Sequence, residues 1–159
     1  MNDLSEPESS LLECAALNVS VPGRRLVESL DVELRRGELI AILGRNGAGK
    51  TLTLTTLAGL RVPDAGAVRL LGEDIAQVKR QQAARHLALL PQVIDDIFPA
   101  TVMDTALIGR HPHIGALSWE SLEDYAAARA ALQTMGLDAL AERDILTLSG
   151  GERRRLAIA

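Results

Sequence analysis

Eight consecutive residues of this chain have the types and the spacing needed to bind phosphate. Gly44 to Thr51 is GRNGAGKT, which matches the pattern G-x-x-x-x-G-K-[ST]. Glycines let successive backbone N–H groups turn inward around an anion, which the positive end of a following helix also attracts. The Lys50 ammonium would contact the outer phosphates, and the Thr51 hydroxyl would supply one ligand to Mg²⁺. We therefore predict a nucleoside triphosphate site; the alternative is a glycine-rich helix cap that binds nothing.

A second glycine-rich stretch, Leu148 to Glu152, has the sequence LSGGE. Taken alone, a serine followed by two glycines before a helix is typical of an ordinary N-cap and turn. Between the two stretches lies the apolar run Leu87 to Pro91, which we predict to be a short buried strand, and Gln92 follows it directly. The order and separation of these three features carry more information than any one of them.

Together, the phosphate loop, Gln92 and LSGGE resemble the ordered motifs of the ATPases of ATP-binding cassette (ABC) transporters. The resemblance implies an α/β P-loop NTPase fold, in which a RecA-like core and an antiparallel β subdomain are joined by a family-specific α-helical lobe. It implies an ATP-binding subunit that hydrolyses ATP, with Mg²⁺, to drive import across a membrane. The alternative is a shortened module that binds nucleotide without turnover.

The resemblance also assigns roles residue by residue. Gln92 is the catalytic candidate, because it would reach Mg²⁺ and the attacking water, and Thr51 and Gln92 are the predicted metal ligands. Two subunits would face each other head to tail, so that the LSGGE serine and glycines of one contact the γ-phosphate held by the other. The predicted nucleotide-binding residues are Gly44, Arg45, Asn46, Gly47, Ala48, Gly49, Lys50, Thr51, Leu52, Ser149, Gly150 and Gly151.

Composition limits the partners. The 159 residues include 21 acidic and 17 basic ones, giving a net charge of -4, so no general positive field recruits nucleic acid or an anionic membrane. This argues against a soluble family member that acts on nucleic acid.

The N-terminus lacks the features of a secretory signal, and no apolar run approaches the ~20 residues of a membrane helix. We expect a cytoplasmic protein at the inner face of the cell membrane, held by permease subunits, paired with a second ATP-binding subunit and linked indirectly to a binding protein.

Hydrophobic periodicity predicts the elements that position the phosphate loop. Apolar residues alternate with polar ones around Leu17 to Val21 and around Val32 to Leu34, and Pro22-Gly23 provides a turn between them. An antiparallel opening sheet is expected. Leu39 to Leu43 is an unbroken apolar run, which indicates a strand covered on both faces in a parallel sheet. A helix is expected from the phosphate loop to Ala58.

We divide the chain into an α/β nucleotide-binding lobe, residues 1–97 with a flexible stretch at 1–12, and a helical lobe with the LSGGE motif, residues 98–159. In the helical lobe, which begins near Phe98, Thr101 is predicted to cap a first helix that ends before Gly109. Tyr125, Ala128, Leu132 and Met135 form the apolar stripe of a second helix that ends at Gly136.

The loop between these helices bears on the cargo. Ile108 to His113, IGRHPH, is similar to a loop found in importers of iron-siderophore complexes, haem and cobalamin. His111 and His113 flank a proline without a cysteine or carboxylate cluster, so we assign no metal to them.

The sequence departs from the family pattern in three places. Leu52 stands where a second hydroxyl residue near the α-phosphate is usual, so a lower affinity is expected. No aromatic residue near Val21 or Pro22 could stack on adenine, so weak base discrimination is expected. The chain also stops at Ala159, before the family's Walker B strand, its catalytic glutamate, its D-loop and its switch histidine. We expect this chain alone to be poorly stable, to turn over negligible ATP, and to leave the edges of Leu39 to Leu43 exposed.

Overall fold

The computed structural model describes residues 10–92, 99–115 and 118–159. They form two compact units, one up to Leu89 and one from Leu90 to Ala159. The predicted lobe boundary between 97 and 98, with Phe98, lies outside the described residues. Residues 1–9 of the predicted flexible stretch also lie outside them, whereas the N–H of Leu11 donates to the carbonyl of Leu34 at 2.8 Å.

The first unit opens with the predicted antiparallel hairpin. β1 (Leu12–Val21) pairs with β2 (Arg24–Leu34), with Val19 opposite Val27 and Val21 opposite Arg24. The two-residue connection Pro22-Gly23 has Gly23 at φ 75. Proline is favoured at the first central position of such a turn, and glycine at the second, where φ is positive. The hairpin prediction is confirmed.

Two further strands complete an antiparallel sheet in the order β2-β1-β3-β4. β3 (Ala65–Leu70) pairs with β1, and the two-residue strand β4 (Glu73–Asp74) pairs with β3. Gly66 crosses the bulge of β1 so closely that a Cβ would lie 2.4 Å from the Ala15 carbonyl oxygen. This position therefore requires glycine.

The predicted buried strand Leu39 to Leu43 is wrong for this structure. The segment forms no strand, and Leu39 and Leu43 are 96% and 89% exposed. An extended segment becomes a strand only when a neighbour accepts and donates its ladder hydrogen bonds, and no other described strand lies beside it. The exposure agrees with the expectation that its edges would be open.

The predicted short buried strand Leu87 to Pro91 is also wrong. It follows the single-turn helix α2 (Arg80–Ala83) as irregular chain, with Ala88 and Pro91 exposed. The physical reason is the same, because no described strand pairs with it.

The core of the first unit lies between the sheet and α1 (Lys50–Leu57), which ends at Ala58 as predicted. Leu17 and Val19 from β1 are fully buried with Leu57 from the helix and Val68 from β3. Cys14 lies in the same cluster. Burial raises the pKa of the Cys14 thiol, which favours the neutral, unreactive form.

The second unit is helical. It contains α3 (Val102–Ile108), α4 (Leu122–Thr134) and α5 (Gly150–Leu156), with short 3-10 turns at His111–His113, Asp138–Leu140 and Ile145–Thr147. Among the described residues, no helix is long and apolar enough to cross a membrane.

Side-chain caps begin all three of these helices. The side chains of Thr101, Ser121 and Ser149 each accept a hydrogen bond from the backbone N–H three residues on, and the carboxylate of that later residue accepts one from the N–H of the cap residue. This is the reciprocal capping box. The predicted cap Thr101 is confirmed, and Gly136, at φ 66, follows α4 as expected.

One apolar cluster holds these helices together. Leu132 and Leu137 are completely buried in it, as is Val102 from α3, and Leu156 brings in α5. The predicted stripe of α4 therefore faces this core, except that Tyr125 is 45% exposed.

Candidate functional site

The phosphate loop is built on two glycines in the left-handed region. Gly47 and Gly49 have φ of 78 and 95, which L side chains adopt at a steric cost. A Cβ at Gly49 would also lie 2.9 Å from the Cβ of Leu26, because β2 packs directly behind the loop. The loop closes on itself where the Ala48 N–H donates to the Arg45 carbonyl at 3.2 Å.

Helix α1 begins at this loop without a side-chain cap. Its N-cap residue is Gly49, which has no side chain to accept a hydrogen bond. The helical ladder starts only where the Thr53 N–H donates to the Gly49 carbonyl at 2.8 Å. The N–H groups of Lys50, Thr51 and Leu52 therefore precede the ladder, and with the helix dipole they suit an anion.

Lys50 adds the positive charge that the sequence predicted. Its ammonium Nζ donates to the carbonyls of Gly44 and Arg45 at 2.8 and 2.9 Å. The side chain thus folds back over the loop, and its cation lies at the carbonyls of the first two loop residues.

Thr51 differs from the other threonines of α1. Thr53, Thr55 and Thr56 each donate their hydroxyl to a backbone carbonyl one turn back, at 2.7 to 3.0 Å. The exposed hydroxyl of Thr51 has no such partner within the part of the chain that is described. A free hydroxyl beside a phosphate site fits Mg²⁺, which takes few protein ligands and completes its shell with phosphate oxygens and water.

The side chain of Leu52 does not contribute to the phosphate site. It is half-buried and packs against the core of the first unit. The predicted role of Leu52 in binding can therefore come only from its backbone N–H.

In the second unit, the LSGGE motif forms the start of α5. The Ser149 hydroxyl donates to Glu152 Oε2 at 2.6 Å, and the Ser149 N–H donates to the same oxygen at 2.7 Å. Hydrogen bonds from the Ser149 side chain and backbone lower the pKa of Glu152. The ordinary N-cap interpretation of this motif is thus correct for its local structure, while Gly150 and Gly151 stay exposed.

Gln92 is exposed, and the residue before it is tied to α5. Arg154 Nη1 donates to the Pro91 carbonyl at 2.6 Å. Gln92 and the LSGGE motif are therefore brought to the same part of the second unit, whereas the phosphate loop belongs to the first unit.

In the basic run Arg153 to Arg155 of α5, the first two side chains donate to backbone carbonyls. Arg153 donates to the carbonyls of Leu148 and Leu146 at 3.2 Å each, and Arg154 makes the contact with Pro91.

The predicted loop at Ile108 to His113 contains a 3-10 turn, and both of its histidines are exposed. Within residues 10–92, 99–115 and 118–159 there is no group of three or more histidine, cysteine, aspartate or glutamate side chains that could hold a metal ion.

Sequence reasoning missed two contributors. Leu26 shapes the loop through its contact with Gly49, and nothing in the pattern of β2 indicates it. Arg154 contacts a residue 63 positions away, which no local pattern can reveal.

Comparison with known proteins gives a consistent result. The family model for ABC transporters matches residues 27–159. A hemin import ATP-binding protein of Deinococcus radiodurans is 42% identical over 143 residues, covering 90% of this chain and 53% of the relative. A cobalamin import ATP-binding protein of Halobacterium salinarum is 34% identical over 148 residues, covering 93% of this chain and 37% of the relative.

A solved structure extends the likeness to the fold. A metal-chelate type ABC transporter in an inward-facing conformation superposes with a TM-score of 0.76 at 27% identity, covering 94% of this chain and 54% of that one. The chain thus spans about half the length of the curated relatives it matches.

Proposed function

We propose that this chain, which belongs to the ABC transporter family, forms part of an ATP-binding subunit that powers import through a membrane permease. The family resemblance and the P-loop fold predicted from the sequence are confirmed by the matches of the family model and of the solved structure. The relatives are named for ATP binding. Hydrolysis, cargo and partners of the whole protein are the substance of the proposal.

The uncapped start of α1 carries the proposal. A glycine N-cap, three backbone donors ahead of the ladder, and the Lys50 cation over the same loop favour a polyphosphate over any neutral ligand. Helices α3 and α4 of the second unit differ, because the side chains of Thr101 and Ser121 already accept from the N–H of the third helical residue.

Mg²⁺ would neutralise charge on the β- and γ-phosphates of the bound ATP. Thr51 would hold it through its free hydroxyl, and Gln92 would contact it and orient the attacking water. Gln92 is suited to this by its exposure and by an amide that both donates and accepts.

The LSGGE motif would act on the ATP of a second subunit. Ser149, Gly150 and Gly151 would offer a hydroxyl and backbone N–H groups to its γ-phosphate. Because the Ser149 hydroxyl donates to Glu152 at 2.6 Å, the phosphate would have to compete with that carboxylate for the proton. ATP would thereby join two subunits head to tail.

For the cargo we propose a metal chelate, such as haem, cobalamin or an iron-siderophore complex. The support is the IGRHPH loop together with relatives named for hemin and cobalamin import and a metal-chelate type transporter. The subunit would sit at the cytoplasmic face, bound to permease subunits that receive cargo from a binding protein, and nucleic acid would not be a partner.

Titration with a fluorescent ATP analogue and Mg²⁺ tests the proposal. We expect Lys50→Ala to weaken binding by tenfold or more, about 1.4 kcal/mol, because a charge-assisted contact is lost. Lys79→Ala is the matched control: it removes the other lysine of the sequence, which is exposed beside α2, and should leave the affinity unchanged.

Phosphate release measured in the same samples tests the expectation of negligible turnover. Binding without release is expected for this chain alone. Equal affinity in the wild type and Lys50→Ala would refute the phosphate loop as the ATP site.

A further inference from the structure

We propose that Arg154 is a positioning residue that fixes the backbone of Gln92 from the helix of the LSGGE motif. This rests on the proposed function, in which both Gln92 and that motif meet nucleotide. The observation behind it is the hydrogen bond from Arg154 Nη1 to the Pro91 carbonyl at 2.6 Å.

This bond controls more than a carbonyl. The Pro91 C=O and the Gln92 N–H belong to one planar peptide unit, so a donor on the oxygen also sets the direction of the Gln92 N–H. The pyrrolidine ring already fixes φ of Pro91 near −65°, and the guanidinium restrains the peptide that follows it. Together they restrict the path by which the chain enters Gln92.

The guanidinium extends from a helix that is itself held on several sides. Ser149 and Glu152 close the capping box at its start, Arg153 bonds to the carbonyls of Leu146 and Leu148, and Leu156 is only 6% exposed in the apolar core. Arg154 therefore extends from a helix whose position is fixed by these contacts. By contrast, residues 87–92 belong to no helix or strand, so a restraint there has a large effect.

The consequence is a direct link, within one unit, between two residues proposed to meet two different ATP molecules: Gln92 at the chain's own ATP and Ser149 at that of a second subunit. A movement of Gln92 pulls on the Pro91 carbonyl and through Arg154 on the helix that presents Ser149. A movement of that helix likewise displaces Gln92. Arg154 need not touch the nucleotide to carry this effect.

NMR of the whole chain tests the geometry without nucleotide. Loss of the donor in Arg154→Ala should shift the Pro91 carbonyl carbon and the Gln92 amide nitrogen and lower the order of the Gln92 N–H. Arg155→Ala removes the same charge one residue along the exposed face of α5 and should leave both signals in place. Arg154→Lys, which keeps a cationic donor on a long stem, should restore part of the shift.

Unchanged Pro91 and Gln92 signals in Arg154→Ala would overturn the proposal, as would equal shifts in Arg155→Ala. If Arg154→Ala fails to fold, Arg154→Lys and Arg154→Gln give the same comparison, since glutamine is neutral and too short to reach the carbonyl.

A double-mutant cycle tests the functional consequence. The quantity is the factor by which Mg²⁺ increases ATP affinity, compared for the wild type, Gln92→Ala, Arg154→Ala and the double variant. We expect each single change to reduce this factor by about threefold to tenfold, and the double variant to lose no more than either. Additive losses, or a loss in Gln92→Ala alone, would overturn the positioning role.

Failure of the proposed function gives a different pattern. If the wild type binds no ATP, the phosphate-loop assignment falls, while the Pro91 and Gln92 shifts still decide whether Arg154 orders that peptide.

Discussion

The two units of this protein begin their helices in opposite ways. In the second unit, α3, α4 and α5 each start with a threonine or serine whose side chain accepts from the backbone N–H three residues on. The carboxylate of that later residue accepts from the N–H of the cap residue. In the first unit, α1 starts at Gly49 with no side-chain cap at all. Both kinds of start leave the same orphan N–H groups to be satisfied; only the source of the acceptor differs.

The uncapped start of α1 leaves more first-turn N–H groups available to a ligand than a capped start does. A capping box satisfies two donors from within the helix, the N–H of the cap residue and the N–H of the third helical residue. A glycine start keeps the donors directed outward, which costs local stability and makes an anion the natural acceptor. The packing of apolar residues differs in the same way. Apolar residues of α3, α4 and α5 pack against one another in one buried cluster, while Leu39 and Leu43, ahead of the phosphate loop, are exposed.

The largest effect should come from cutting the same side chain in the two settings. Leu132→Ala, at 0% exposure, should lower the free energy of unfolding of the second unit by about 2–5 kcal/mol, because it leaves a cavity. Leu43→Ala, at 89% exposure, should lower the free energy of unfolding of the first unit, to which Leu43 belongs, by no more than about 0.5 kcal/mol. Urea unfolding followed by circular dichroism measures both.

Equal losses for the two leucines would break the comparison, since they would mean that Leu43 is buried in solution. A cooperative, reversible thermal melt of the wild-type monomer would in addition contradict the expectation that this chain alone is poorly stable.

A second prediction concerns the glycine start itself. Gly49→Ala should weaken ATP binding by tenfold or more, because alanine at φ 95 is strained and its Cβ would lie 2.9 Å from the Leu26 Cβ. Gly37→Ala is the matched control, with φ 77 but no atom within 4 Å of its Cβ. It should cost about 1–2 kcal/mol of stability for the backbone strain alone and leave the affinity unchanged.

Isothermal titration of ATP into both variants makes the measurement. Similar affinities for the two would show that the conformation of Gly49 is unimportant to the phosphate loop, and the contrast between the two kinds of helix start would lose its functional meaning.

Local patterns predicted what local chemistry determines. The hairpin at Pro22-Gly23, the cap at Thr101 and the end of α4 at Gly136 each depend on a few adjacent residues, and all three are found. Strands at 39–43 and 87–91 were predicted from apolar runs. A strand also needs a neighbouring strand to pair with, and an apolar run does not show whether such a neighbour is present. Those predictions failed for that reason.

The candidate site divides in the same way. The phosphate loop is one continuous stretch, so its glycines, Lys50 and Thr51 could be identified with their chemistry. Arg154 contacts Pro91, which is 63 positions away in the sequence, and Leu26 in β2 lies against Gly49. Such contacts follow from tertiary packing, and only the folded chain reveals them.

Acid should distinguish the two kinds of helix start by the smallest effect, because it titrates a carboxylate cap and cannot titrate Gly49. Asp124 completes the capping box that Ser121 begins at the start of α4. Its carboxylate accepts from the Ser121 hydroxyl at 2.7 Å and N–H at 3.0 Å, and from Arg110 Nε at 2.9 Å. The Ser121 hydrogen bonds, and then the Arg110 one, lower the pKa of Asp124 from 3.8 to about 2. A carboxylate with a depressed pKa adds stability above its ordinary pKa and loses it as the pH falls toward the folded value. The stability difference between the wild type and Asp124→Asn should therefore be largest above pH 3.8 and shrink toward about pH 2, as measured by urea unfolding at each pH. A difference that stays constant through this window would mean that the α4 cap does not depend on the charge of Asp124, and that its geometry alone separates it from the open start of α1.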